Sequence, residues 1–189
     1  MIWFSDLRDS TPLSSALGER GFLELLNEYF ETTAGAVLEH GGEVLRFIGD
    51  ASLAVFPIDA AAPAGARRAA CERAIDAARA ARARGRDANR RRADGRLPEF
   101  SFGIGLHLGR VLYGNIGTPE RLEFSVIGAA ANETARIEAL CKTTGADVVL
   151  SQAVVNELGE RFPTLGRHAL RGVGEPMEVF ALPEGAAAQ

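Results

Sequence analysis

The sequence predicts an α+β domain with a ferredoxin-like βαββαβ core and a smaller C-terminal α/β extension. Three observations predict it. Short apolar runs rich in strand formers stand at Ile2 to Phe4, Glu43 to Phe47, Ser52 to Phe56 and Phe100 to Leu108. Helical periodicity fills the stretch between the first and second runs, and strong helix formers fill the stretch between the third and fourth. Gly41-Gly42 and Gly49-Asp50 stand where a helix must stop and a hairpin must turn. The chain has 189 residues, 47% of them hydrophobic, enough for one domain with a sizeable core. It reads as a single domain over 1–189, ordered to about 183 and ending in a tail at 184–189.

The elements follow in order. Ile2 to Phe4 is an opening buried strand, and the polar segment from Ser5 to Pro12 reads as a loop. Phe22, Leu25, Leu26, Tyr29, Phe30 and Val37 form the apolar stripe of a helix. Strands at Glu43 to Phe47 and Ser52 to Phe56 are joined by Ile48-Gly49-Asp50-Ala51, which puts Asp50 at a hairpin tip. Ala64 to Asn89 is rich in Ala and Arg, both strong helix formers, with Gly85 weakening its end. A strand at Phe100 to Leu108 and a long hairpin of Arg110 to Ile116 and Arg121 to Ile127 come next. Then follow a helix from Ala130 to Lys142, a strand at Asp147 to Leu150, a short helix at Ser151 to Leu158, and closing strands near Gly166 to Leu170 and Glu178 to Leu182.

Composition narrows the function classes. The net charge of -4 argues against a polyanion binder, and no nucleic-acid partner is expected. An RNA-binding sheet would need exposed aromatic residues and a basic face, and Phe100-Ser101-Phe102 is too little. The run Arg79, Arg82, Arg84, Arg86, Arg90, Arg91 and Arg92 reads as a solvated helix face. Cys71 and Cys141 lack metal-ligand spacing and read as free thiols in a reducing cytosol. No apolar run reaches the roughly 18 residues of a membrane span, and the start lacks the features of a secretory leader. A cytoplasmic location is expected, with a longer, membrane-linked parent protein left open. His40, His107 and His168 are scattered, and His107 reads as a packed residue within a strand.

Two carboxylates stand out by context. Asp6 follows the first strand and Asp50 occupies the hairpin tip. In a β-α-β-β unit the first strand lies beside the hairpin, so both acids can reach one edge of the sheet. Hard carboxylates there suit Mg²⁺ or Mn²⁺ carrying a phosphate substrate. On position alone, ordinary cap and turn roles for Asp account for both residues as well.

The motifs resolve the choice. Phe4-Ser5-Asp6-Leu7-Arg8-Asp9-Ser10-Thr11, Gly42 to Ala51, Phe102 to Val111 with Gly114 to Gly117, Phe124 to Gly128 followed by Asn132 and Arg136, and Leu170-Arg171-Gly172 with Glu175-Pro176 stand in order along nearly the whole chain. Together they resemble the class III nucleotidyl cyclase catalytic domain. The Gly-Gly-acidic-acidic-Phe hairpin of diguanylate cyclases is absent, since this hairpin reads Phe47-Ile48-Gly49-Asp50-Ala51.

The resemblance implies the following expectations. Asp6 and Asp50, with the backbone carbonyl of Leu7, hold two divalent metal ions. Asn132 and Arg136 are catalytic, meeting the ribose and the α-phosphate; four residues apart, they share one helix face. Backbone N–H groups after Asp6 cradle phosphates. Arg46 and Ser125 occupy the base-reading positions. Arg46 offers a donor to adenine N1, whereas guanine would want an acidic acceptor, so ATP is the expected substrate. Val173 stands where the family sometimes has a phosphate-binding lysine, and Arg171 is the candidate substitute. One chain carries both halves of a site that the family divides between subunits, which implies a head-to-tail homodimer. The rival readings are a guanylate cyclase of the same class and a non-catalytic nucleotide-binding domain.

Overall fold

The computed structural model describes residues 1–59, 61–118 and 120–184, and for Tyr113, Ile116 and residues 121–125 the backbone alone. Most of the expected tail thus lies outside the described residues. Nine strands and five helices occur among them: β1 Ile2–Leu7, α1 Ser10–Glu39, β2 Glu43–Ile48, β3 Ala51–Val55, α2 Ala66–Asp94, β4 Phe102–His107, β5 Leu112–Thr118, β6 Arg121–Ile127, α3 Ala129–Ala139, α4 Cys141–Thr144, β7 Val148–Ser151, α5 Gln152–Leu158, β8 Thr164–His168 and β9 Met177–Ala181. The main sheet runs β2-β3-β1-β4-β7-β9-β8, and β5-β6 form a separate two-stranded ribbon. The first four strands pair antiparallel in the order of a ferredoxin-like core, and β7 joins β4 in parallel.

Strand alternation sorts residues to the two faces. Met1, Trp3, Ala54, Phe56, Ile104, Leu106 and Leu150 pack against the alanine-rich side of α2. Ile2, Leu53 and Val55 point the other way and meet Ala130 of α3 and Val126 of the ribbon. Ile137 of α3 joins Val149 and Val179 on that same face. In β1 the parity is clear: Ser5 turns toward α1, where its hydroxyl contacts the Tyr29 hydroxyl at 3.1 Å, so Asp6 belongs to the face that carries α3.

Glycines in β4 let α3 lie close. A Cβ on Gly105 would stand 2.6 Å from the Glu138 amide nitrogen and 2.7 Å from the Thr134 carbonyl oxygen. A Cβ on Gly103 would collide with Arg8 and Glu138, and one on Gly109 with Ala130. The helix backbone therefore rests on strand backbone, which only glycine permits.

Several expectations need correction. β1 runs through Leu7, so Asp6 and Leu7 end a strand instead of opening a loop. α1 begins at Ser10, with Pro12 in its first turn, where a missing N–H costs nothing. Non-helical geometry at Gly18 interrupts that helix. α2 runs from Ala66 to Asp94, past the expected end at Asn89, and Gly85 within it faces the Phe102 ring. The expected helix to Lys142 divides at Leu140 into α3 and α4.

The arginine run is not wholly solvated. Arg82 and Arg92 fall on the inward stripe with Ala78, Ala81, Gly85 and Ala88. Arg82 donates to both Asp147 carboxylate oxygens and to the Leu182 and Pro183 carbonyls. Arg92 donates to Glu28 and to the Pro98 carbonyl at 2.6 Å. Long stems reach across the core and the buried guanidinium groups are satisfied by acceptors, so neither is a surface charge.

The glycine path makes a prediction. Gly105→Ala should cost about 1–3 kcal/mol through overpacking, seen as a fall of several degrees in thermal melts. Gly174→Ala, where an added Cβ meets nothing within 4 Å, should melt like wild type. Equal melting of the two variants would contradict the close docking of α3.

Candidate active site

The site is built at the C-terminal end of β1. There the strand lies between the β2-β3 hairpin and β4, with Asp6 opposite Ala51 on one side and Gly103 on the other. Ile48 pairs with Ala51, so Gly49-Asp50 alone make the hairpin turn, with Gly49 at φ 62. The Leu7 amide donates to the Asp50 carbonyl at 3.2 Å, which ties the hairpin tip to the strand end. Both predicted acids are thus brought together.

Their charges meet as well. Burial, and then the neighbouring Asp50 carboxylate, push the Asp6 carboxyl above the usual carboxylate range, while Lys142 and Arg8 pull it down. Two half-buried hard oxygen donors that repel each other form a place a divalent cation can fill. No cluster of three or more His, Cys, Asp or Glu side chains occurs among the described residues, so water or phosphate oxygens would complete the coordination. Leu7 has a buried side chain. Its amide, like that of Arg8, which donates to the Ser101 carbonyl at 2.8 Å, is engaged by backbone. The first two amides after Asp6 are therefore not available to cradle phosphate.

Arg8 connects this strand end to α3. Its guanidinium donates to the Glu138 carboxylate and lies 3.8 Å from Asp6 Oδ2. Burial pushes the Glu138 carboxyl up, to about 7, against the pull of Arg8. A second polar contact holds the helix nearer its middle. His107 Nε2 lies 3.1 Å from Glu133 Oε2 and Nδ1 lies 2.9 Å from the Ser151 hydroxyl. Burial lowers the imidazole's proton affinity, with Glu133 opposing. A neutral ring with Nε2–H donating to Glu133 and Nδ1 accepting from Ser151 satisfies both contacts.

Asn132 and Arg136 share the outer face of α3. Asn132 is exposed and Arg136 half-buried. Neither side chain makes a hydrogen bond or ion pair with a described residue, and neither meets Asp6 or Asp50 within one chain. The Arg136 guanidinium instead lies beside the turn after Leu170. A Cβ on Gly172, which takes φ 74, would stand 3.6 Å from its terminal nitrogens. This brings the exposed Arg171 segment next to Arg136. Arg46 follows a bulge in β2 and is half-buried. Ser125 pairs with Gly114 in the ribbon, and its side chain lies outside the described residues.

Sequence reasoning passed over Arg8, Glu133, Glu138 and Lys142. Glu138 carried a signal: it falls on the buried stripe with Ala130, Thr134, Ile137 and Cys141, where an acid needs a partner.

Comparison with known proteins agrees with this architecture. A family model described as the adenylate and guanylate cyclase catalytic domain matches residues 1–183. An uncharacterised protein of Mycobacterium tuberculosis is 35% identical over 94% of this chain and 31% of its own length. Adenylate cyclase 1 of Rhizobium meliloti is 30% identical over 94% of this chain and 26% of its own length. This chain therefore spans less than a third of those relatives. Among solved structures, the guanylyl cyclase Cya2 superposes with a TM-score of 0.80 at 29% identity, covering 98% of this chain and 93% of that one. The adenylyl cyclase CyaB from P. aeruginosa does so with a TM-score of 0.80 at 21% identity, covering 98% and 94%. The fold is that of the class III nucleotidyl cyclases. The chain belongs to the adenylate and guanylate cyclase catalytic domain family.

If Asp6 and Asp50 repel each other, neutralising one should stabilise the metal-free protein. Asp50→Asn is expected to gain a few tenths of a kcal/mol to about 1 kcal/mol in chelator at neutral pH. It should also lose the stabilisation that Mn²⁺ gives wild type. Thermal melts with and without Mn²⁺ check both; a variant that Mn²⁺ still stabilises as it does wild type would refute the pairing.

Proposed function

We propose that this domain is an adenylate cyclase, converting ATP to 3′,5′-cyclic AMP and pyrophosphate at sites shared between two head-to-tail copies. The observation that carries the reading is the separation of two half-sites. Asp6 and Asp50 converge at one end of β1, while Asn132 and Arg136 stand on α3 without a hydrogen-bond or ion-pair partner among the described residues. A two-fold arrangement brings the acids of one copy to the helix of the other and makes two equivalent sites.

The roles follow from the chemistry of the side chains. Asp6 and Asp50, with the Leu7 carbonyl, would hold two divalent cations, Mg²⁺ or Mn²⁺. When bound, these supply acidification of the ribose 3′-hydroxyl and charge compensation for the triphosphate and leaving pyrophosphate. Arg136 presents a planar fork of donors suited to the α-phosphate oxygens as charge builds there. Asn132, one turn earlier on the same face, hydrogen-bonds the ribose and fixes its 3′-hydroxyl for in-line attack. Arg171, beside Arg136, adds a second cation toward the phosphates. Positioning and charge stabilisation thus account for the catalysis.

Base choice rests on Arg46, with Ser125 as its partner. A cationic donor meets the adenine N1 acceptor but opposes the N1–H and amino donors of guanine. Relatives called adenylate cyclase are 29–32% identical and the guanylyl cyclase structure 29% identical, so identity alone favours neither base. No helix among the described residues is long and apolar enough to cross a membrane. The domain reads as cytoplasmic, working within a longer protein.

Purified protein should make cyclic AMP from ATP with Mn²⁺ or Mg²⁺ and much less cyclic GMP from GTP, and Asp50→Ala should abolish both. Cyclic GMP as the main product would overturn the Arg46 argument while keeping the mechanism. No product from a dimeric protein would overturn the catalytic reading in favour of a nucleotide-binding domain.

A further inference from the structure

Lys142 holds a position that the roles above do not use. Its ammonium lies 3.8 Å from Asp6 Oδ2, close enough to lower the proton affinity of both Asp6 and Glu138. Two cations therefore face the Asp6 carboxylate, and their surroundings differ. Arg8 is half-buried and committed to Glu138, donating to its carboxylate and to its carbonyl at 3.4 Å. Lys142 makes no other ion pair with a described residue, and its side chain is 59% exposed.

The base of the lysine is nevertheless fixed. Cys141 is buried, with Sγ 3.7 Å from the Ile104 carbonyl and 3.6 Å from the Asp147 carbonyl. The Thr144 hydroxyl donates to the Leu140 carbonyl at 2.8 Å. A rigid mount with a free four-carbon stem suits a charge that changes partners.

We propose that Lys142 is a further substrate-binding residue: it neutralises Asp6 in the metal-free site and turns to the triphosphate once metal and nucleotide are bound. The inference rests on the cyclase reading for the identity of the anion. The electrostatics are direct. A divalent cation on Asp6 and Asp50 repels the ammonium from Asp6. A phosphate carried by that cation would offer the ammonium another anion. An exposed pair at this separation contributes little to stability, so releasing it costs little.

The test separates this role from a structural one by the sign of two effects. Lys142→Ala removes a competitor for Asp6, so Mn²⁺ alone should bind as tightly as to wild type or up to about threefold tighter by calorimetry. Inorganic tripolyphosphate should bind the Mn²⁺-loaded variant about tenfold more weakly, the loss of one charge-assisted phosphate contact. KM for ATP should rise by a similar factor, with kcat changed less than about threefold. Lys142→Arg should recover most of the tripolyphosphate affinity. Weaker Mn²⁺ binding in Lys142→Ala, or unchanged tripolyphosphate affinity, would overturn the proposal. A wild-type protein that binds Mn²⁺ and tripolyphosphate as described but cyclises neither ATP nor GTP would overturn the cyclase reading and leave the Lys142 contact standing.

Discussion

The part-buried pair of Arg8 and Glu138 is the contact on which the site's geometry depends. Arg8 follows the end of β1 by one residue, and Glu138 lies two residues beyond Arg136 on α3. One ion pair therefore joins the strand that ends in Asp6 to the helix that carries Asn132 and Arg136. Ionising groups at such depth is costly, and the cost is offset only where geometry is tight and remaining donors are satisfied. Gly103 supplies that geometry by leaving the space that the two side chains fill, and Gly105 lets the helix backbone descend onto the strand. Nearer the middle of the same helix, His107 and Glu133 make a second polar pin. Held at two points over β4 and β1, the outer face of α3 has one orientation.

That orientation bears on the proposed sharing of the site between two copies. The acids lie on the α3 face of β1, but Asn132 and Arg136 point away from the sheet, with no described partner. An uncommitted guanidinium and an exposed amide, held rigidly on a helix anchored from below, are prepared for something that arrives from outside. A nucleotide bound to the acids of a second copy has the required chemistry, offering ribose hydroxyls to Asn132 and phosphate oxygens to Arg136. The proposed reaction then asks little of covalent chemistry and much of placement, which this anchoring provides.

Much of this was legible in the residues, and the exceptions share a cause. The order of strands and helices followed from periodicity, and Asp50 at a two-residue turn followed from Gly49. The C-terminal reach of β1 did not, because Asp6 and Arg8 are charged and the strand was read as ending where apolar residues end. Burial of these side chains against α3 was a tertiary fact with no local pattern. Arg82 and Arg92 failed for a similar reason: arginine composition announces solvent, and only helical phase puts these two on the inward stripe. Asn132 and Arg136 were nominated through their motif and i,i+4 spacing, and the structure places both on the outer face of α3. Glu138 and Lys142 belong to no motif that was read, and a carboxylate on an apolar stripe was the one available sign.

Complementation between two damaged chains tests the shared site most directly. Asp50→Ala retains an intact helix face and Arg136→Ala retains intact acids, so each homodimer should be inactive. When the two are mixed and allowed to exchange subunits, each mixed dimer contains one undamaged site. Cyclic AMP formation by the mixture, absent from either variant alone, is the result the account predicts. Mixed dimers that form and remain inactive would contradict it.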